Sequence, residues 1–245
     1  MCIRDRYKNL NIIGTSHIAK QSIDSVKNTI LDEKPDIVAL ELDKNRLYGL
    51  MHDQKRKISI SAIPKIGFKG FLFSWIGSII QKKLGDYVGV APGSEMKTAI
   101  RLAKKQKARI ALIDQDIEVT LKRFSRYLTW KEKWNLLVDI FKGVVLRKSE
   151  LEDIGMKKID LTRVPSKEIV RKLIKKMKQR YPNICKVLID ERNKIMAKNL
   201  SCLMNEYPEK KILAVVGAGH EEEIVELIKK EFNHKISYSF NINNI

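Results

Sequence analysis

Four short apolar runs punctuate the chain: Leu10–Gly14, Asp36–Asp43, Ala108–Asp114 and Lys211–Val216. Each is nearly continuous in its apolar core and of strand length, which suits parallel strands covered by helices on both faces. The residues between them carry the helical period. Ile23, Val26 and Ile30 share a face behind Ser22, which is placed to cap a helix that breaks before Pro35. Met96, Ala99, Ile100 and Ala103 do the same behind Ser94, again a cap by sequence. Residues 119–180 read as mostly helical, with breaks near Gly143, Gly155 and Pro165. There Trp130, Trp134, Leu137 and Phe141 form an apolar stripe, read as core packing. A helix follows over Asn183–Leu203, another over Glu221–Phe232, and a final strand over Lys235–Phe240. This alternation predicts an α/β fold: a mostly parallel central sheet flanked by helices, with a helical insertion. It forms a single domain over 9–240, with the insertion at 120–180. Residues 1–8 join no pattern and read as an unstructured or artefactual tail. No fixed short repeat occurs.

Chemistry gathers at the ends of these strands. Gly14-Thr15-Ser16-His17 follows the first run and Gly217-Ala218-Gly219-His220 the last, so two of only four histidines share one local context. In neighbouring parallel strands both imidazoles emerge at the carboxyl edge, where open α/β sheets bind ligands. The second run delivers Glu41 and Asp43 to that edge, with Arg46 behind them. Asp43 reads equally well as the cap of the next helix, with Arg46 as its ion-pair partner. Glu95 sits in a first helical turn, where the helix dipole favours a carboxylate, or else serves the cleft. Arg192 and Asn193 interrupt an otherwise apolar helix face. A buried guanidinium needs a carboxylate or an anionic ligand, and Glu41 and Glu95 are the candidate partners. Asp114 and Asp116 close the third run.

Composition narrows the class. The chain has 245 residues, 44% hydrophobic, and a formal net charge of +19, so an anionic partner is in view. The basic residues are not interleaved with a stacking aromatic motif, which argues against nucleic acid. Residues 60–85 form an aromatic, basic flap with Phe68, Phe71, Phe73 and Trp75; Lys65, Lys69, Lys82 and Lys83 would let 65–83 touch an anionic membrane surface. Residues 165–180 hold seven basic side chains against one acidic. The run Phe71–Ile80 is too short to span a bilayer. Three cysteines without close spacing indicate a reducing compartment, and no signal peptide is recognisable. The reading is cytoplasmic, with membrane association and homo-oligomerisation left open.

Six motifs occur in order: Gly-Thr-Ser-His17, Pro-Asp-Ile-Val-Ala-Leu-Glu41-Leu-Asp-x-x-Arg46, Pro-Gly-Ser-Glu95-Met, Leu-Ile-Asp114-x-Asp-Ile, Glu-Arg192-Asn-x-x-Met-Ala and Val-Val-Gly-Ala-Gly-His220. Together they resemble the TraB/PrgY family of pheromone-shutdown proteins, within the wider group that includes GumN and the Tiki proteases. The resemblance covers about 9–240. It implies an EreA/ChaN/Tiki-like architecture and a metal-dependent peptidase acting on small peptides, with the paired histidines and a glutamate at the metal. Asp114 is commonly followed by Arg in such chains, whereas Gln115 stands here. Many members continue into a membrane-spanning C-terminal region, so a naturally short form and a truncated gene both stay open.

The corresponding chemistry is a three-ligand divalent site with a position for water. His17, His220 and Glu41 are the expected ligands, Glu95 a general base or fourth ligand, and Arg192 an oxyanion or substrate-carboxylate contact. Gly14, Gly217, Arg46 and Asn193 support the backbone or substrate. Such ligands suit zinc, manganese, cobalt or iron alike. The alternative is a peptide-sequestering or membrane-surface binding protein that uses the same cleft without turnover.

Overall fold

The computed structural model describes residues 3–16, 20–52, 93–145 and 166–240. His17, the 60–85 flap with its 65–83 membrane contact, and part of the helical insertion lie outside the described residues.

Five strands form one sheet: β1 (Ile3–Tyr7), β2 (Leu10–Thr15), β3 (Ile37–Leu40), β4 (Arg109–Leu112) and β5 (Ile212–Gly217), in spatial order β1-β2-β5-β3-β4. Only β1 is antiparallel; the other four run parallel, as the apolar runs predict. Residues 3–7 are therefore an edge strand, hairpinned onto β2 with Tyr7 opposite Leu10, and not a loose tail. Too short and too charged to show an apolar period, this strand is held by its ladder.

Side-chain alternation in the sheet makes two cores. On one face Ile13, Val38, Leu40, Leu213 and Val215 pack with Val26 and Ile30 of α1 (Lys20–Glu33) and Met96 and Ile100 of α3 (Ser94–Lys105). On the other, Ile12, Ala39, Ala214 and Val216 meet Met196 and Leu200 of α8 (Glu191–Glu206) and Ile224 and Ile228 of α9 (Glu221–Phe240). Register then aligns the strand ends: Thr15 lies opposite Gly217, and Leu40 opposite both Val215 and Leu112. The last strand in sequence thus enters the middle of the sheet, between β2 and β3. This puts a crossover, and a crevice for ligand, at the carboxyl edge.

Several local expectations change. Ser22 lies inside α1, where its buried Oγ accepts from the Ser16 N–H at 2.9 Å. Ser94 is the first residue of α3, and the cap is Gly93 at φ +82°, a conformation that glycine adopts without strain. The stretch expected as strand at 235–240 is the end of α9. After α2 (Lys44–Met51), the helical insertion contains α4 (Ile117–Tyr127) and α5 (Trp130–Val145), followed by α6 (Lys167–Arg180) and α7 (Pro182–Cys185). Lys186–Asp190 widens to π-helical spacing before α8. Trp130 and Trp134 are 83% and 69% exposed, not core. Their helix turns its polar side inward: Glu132 is buried and accepts from the backbone N–H of Asn183 (2.7 Å) and Ile184. Among the described residues no helix is long and apolar enough to cross a membrane.

Candidate functional site

Glu41 directly follows β3, and its backbone N–H still bonds Val215 of the central strand. Its side chain is 2% exposed. Oε2 accepts from the Gly217 N–H at 2.6 Å, while Oε1 accepts from Arg192 Nη2. The carboxylate thus spans from the end of β3 to the end of β5. Gly217 is the last residue of β5, and three residues later His220 stands just ahead of α9.

His220 is fixed in one tautomer. Asn193 Nδ2 donates to Glu223 Oε2 at 3.0 Å, which orients the amide so that its oxygen faces the ring. That oxygen lies 2.6 Å from His220 Nδ1. An amide oxygen only accepts, so Nδ1 carries the proton and Nε2 presents a lone pair. Nε2 lies 3.3 Å from Arg192 Nη1 and 3.5 Å from Glu41 Oε1. Asn193 itself is fully buried.

Arg192 is the hub, set in the first turn of α8 after the π-helical segment. Nε and Nη2 donate to the two oxygens of Asp114 at 3.0 and 2.7 Å; Nη1 donates to the Leu188 carbonyl. With Glu41 and His220 added, all five N–H groups face protein acceptors. The guanidinium acts on Glu41 and His220 and has no N–H left for a substrate oxyanion in this arrangement. Burial alone would depress its basicity, but Glu41 and Asp114 outweigh that and hold it above its ordinary value. Asp114, 1% exposed, also accepts from Arg46 at 2.6 Å and from the Gln115 N–H. Two guanidiniums and two carboxylates close a neutral cluster, which burial requires.

Asp43 is the cap of α2, its Oδ1 accepting from the Asn45 and Arg46 N–H groups, whereas the Arg46 side chain goes to Asp114. Glu95 is buried in the first turn of α3. Gly14 is a point of close approach: a Cβ there would lie 2.2 Å from Glu221 Oε2 and 3.2 Å from the Ala218 Cα. Glu221 is a residue the sequence reading missed. It is buried, with neither oxygen hydrogen-bonded among the described residues and Lys167 Nζ 3.7 Å away. Burial pushes its carboxyl up to about 8. In sequence it is one of three consecutive glutamates at a helix start, with nothing local to mark it as the buried one. Asp114 was visible at a strand end, but nothing local marked it as the anchor of Arg192.

For a divalent ion, His220 Nε2 and Glu41 Oε1 are donors of a suitable kind. Their 3.5 Å separation is close to the spacing of two ligands bonded to one ion at about 2 Å. Among the described residues no group of three or more His, Cys, Asp or Glu is placed to hold an ion. Arg192 also directs an N–H at each of the two donors.

Comparison with known proteins adds the following. The model of the TraB/PrgY/gumN family matches residues 2–231. An uncharacterized protein of Methanocaldococcus jannaschii is 37% identical over 223 residues, 91% of this chain and 54% of the relative. TraB domain-containing proteins of Mus musculus and Homo sapiens are each 24% identical over 193 residues, 74% of this chain and 49% of theirs. The chain spans about half the length of the curated relatives it matches.

Proposed function

This chain belongs to the TraB/PrgY/gumN family, and from that premise we propose that the carboxyl edge of its sheet is the centre of a hydrolase acting on small peptides with a divalent cation. The observation that carries this reading is the convergence of a tautomer-fixed imidazole nitrogen and a buried carboxylate oxygen, 3.5 Å apart, at the crossover of a parallel sheet. His220 and Glu41, joined by His17, are the residues that would hold the cation, and zinc, manganese, cobalt or iron suits such donors. A bound cation of this kind polarises a scissile carbonyl and makes water a nucleophile near neutral pH. The protein's own part is positioning. Asn193 keeps the proton on Nδ1 of His220, Gly217 aims Glu41, and Asp114 with Arg46 anchors Arg192. Arg192 would have to release the lone pairs of His220 Nε2 and Glu41 Oε1 for a cation to be held there, so it would set how readily the site loads.

The saturation of Arg192 favours one other reading, a site that holds peptide without cutting it. In that case the cluster is a fixed polar anchor. Incubating the purified chain with a mixed peptide library, with and without each cation, separates the two by mass spectrometry. The hydrolase reading expects cation-dependent cleavage that disappears in Glu41→Gln and His220→Ala. Retention of peptides without cleavage under every cation would replace it with the binding reading.

A further inference from the structure

Helix α5 is built inside out. Its N-terminus is held by a reciprocal cap: Glu132 Oε2 accepts from the Thr129 hydroxyl at 2.9 Å and from its N–H, and Thr129 Oγ1 accepts from the Glu132 N–H. The same carboxylate caps α7 through Asn183 and Ile184. Further along, Asp139 accepts from the Arg180 guanidinium and the Tyr181 hydroxyl. Both acids of this helix therefore face the protein. At about 100° per residue, Trp130 and Trp134 lie about 40° apart and each about 160° from Glu132. The buried glutamate thus fixes the two indoles on the outside.

That outer face is aromatic and basic. Trp130 is 83% and Trp134 69% exposed, and Tyr127 at the preceding corner is exposed too. Lys133 Nζ lies 3.7 Å from the Trp130 ring centre. Arg123 and Lys186 lie 5.3 Å from the Tyr127 ring centre, and Lys122, Arg126 and Lys131 in the same stretch of chain are exposed. Large exposed aromatics rimmed by cations are costly in water and mark an interaction surface.

We propose that this face, carrying Tyr127, Trp130 and Trp134, docks onto an anionic lipid bilayer. Charge decides among occupants. A second copy of a chain with a net charge of +19 is repelled, whereas an anionic leaflet attracts each nearby Lys or Arg by about 1 kcal/mol. Tryptophan and tyrosine prefer the headgroup level, where the ring is sheltered and its polar edge stays wet. A helix lying in that plane needs apolar side chains opposite its polar ones, and α5 carries Trp130 and Trp134 opposite the buried Glu132. A nucleic-acid strand needs a positively charged groove with aromatics spaced to stack successive bases, whereas Trp130 and Trp134 lie side by side on one helix. The inference is independent of the proposed hydrolase.

The test is co-sedimentation of the full chain with vesicles of phosphatidylcholine alone or of equal parts phosphatidylcholine and phosphatidylglycerol, with tryptophan emission recorded. Binding to the anionic vesicles only is expected, with a blue shift in emission and weakening as salt rises. The Trp130→Ser/Trp134→Ser double variant loses at least about tenfold in vesicle affinity while its circular dichroism stays unchanged, since both side chains are exposed. Wild-type vesicle affinity in that variant overturns the proposal. So does an absence of binding to either vesicle, including the cases where single-stranded RNA or self-association engages the tryptophans instead.

Discussion

Arg192 and Asp114 show how strongly single side chains depend on one another here. Replacing Asp114 with Ala leaves Arg192 and Arg46 without their shared carboxylate, and a broken buried ion pair costs about 3–5 kcal/mol. Chemical denaturation of Asp114→Ala should show a loss of that order; a loss no larger than that of an exposed substitution would remove Asp114 as the anchor. Gly14 and Glu221 make a second pair. Gly14→Ala pushes a methyl group into a carboxylate 2.2 Å away, an overpacking cost of about 1–3 kcal/mol. Glu221→Ala in the same chain should restore most of it, and additive losses in the double-mutant cycle would show that the contact is not the cause. Asn193 has a spectroscopic reading. Histidine nitrogen NMR should find His220 protonated at Nδ1 in the wild type and shared between tautomers in Asn193→Leu. The same tautomer in both would mean that something else holds the proton. The sequence pointed at Glu41, Arg192 and Asn193 because each breaks an apolar pattern, and at His220 because it shares its Gly-x-x-His context with His17. It could not pair them, since Glu41 and Arg192 are 151 positions apart. Asp114 and Glu221 broke no pattern.

At the level of elements, periodicity locates helices well but leaves their facing open. In α1 and α3 the apolar face is the buried one. In α5 it is not, because one glutamate accepting five hydrogen bonds outweighs two tryptophans in fixing the helix's rotation. Glu132 accounts for a pH dependence. Burial raises its pKa, but the hydrogen bonds from Thr129 and Asn183 more than offset that and hold the carboxyl below its ordinary value. The folded state therefore binds the proton more weakly than the unfolded chain. Its contribution is present above the usual carboxylate range and is lost as pH falls through the folded pKa. Glu132→Gln should melt lower than wild type at pH 7, with the gap closing in acid. A gap that stays constant with pH would show that shape, not charge, matters at this cap. The serine caps at Ser22 and Ser94 misled for a related reason. Serine caps many helices, yet here the Ser22 hydroxyl sits inside α1 and accepts from the Ser16 N–H, and a left-handed Gly93 takes the cap position ahead of Ser94.

The whole molecule followed from the rhythm of its apolar runs to a useful degree. Four parallel strands and their covering helices were legible. Strand order was not, since the placing of β5 between β2 and β3 depends on contacts across nearly the full chain. Nor was β1, whose five residues gain their order from the ladder to β2, the Lys167–Asp5 ion pair and the packing of Tyr7 on the core. That order matters for function, because β5 in the centre is what brings Gly217 and His220 beside Glu41. The most direct test of a cation site there is calorimetric titration of the purified, chelator-treated chain with zinc, manganese, cobalt and ferrous ions, in parallel with His220→Ala and Glu41→Gln. The account predicts uptake of one ion per chain, weakened at least about tenfold in each variant, since each removes one of few ligands. Equal uptake by all three proteins, or none by any of them, would contradict it.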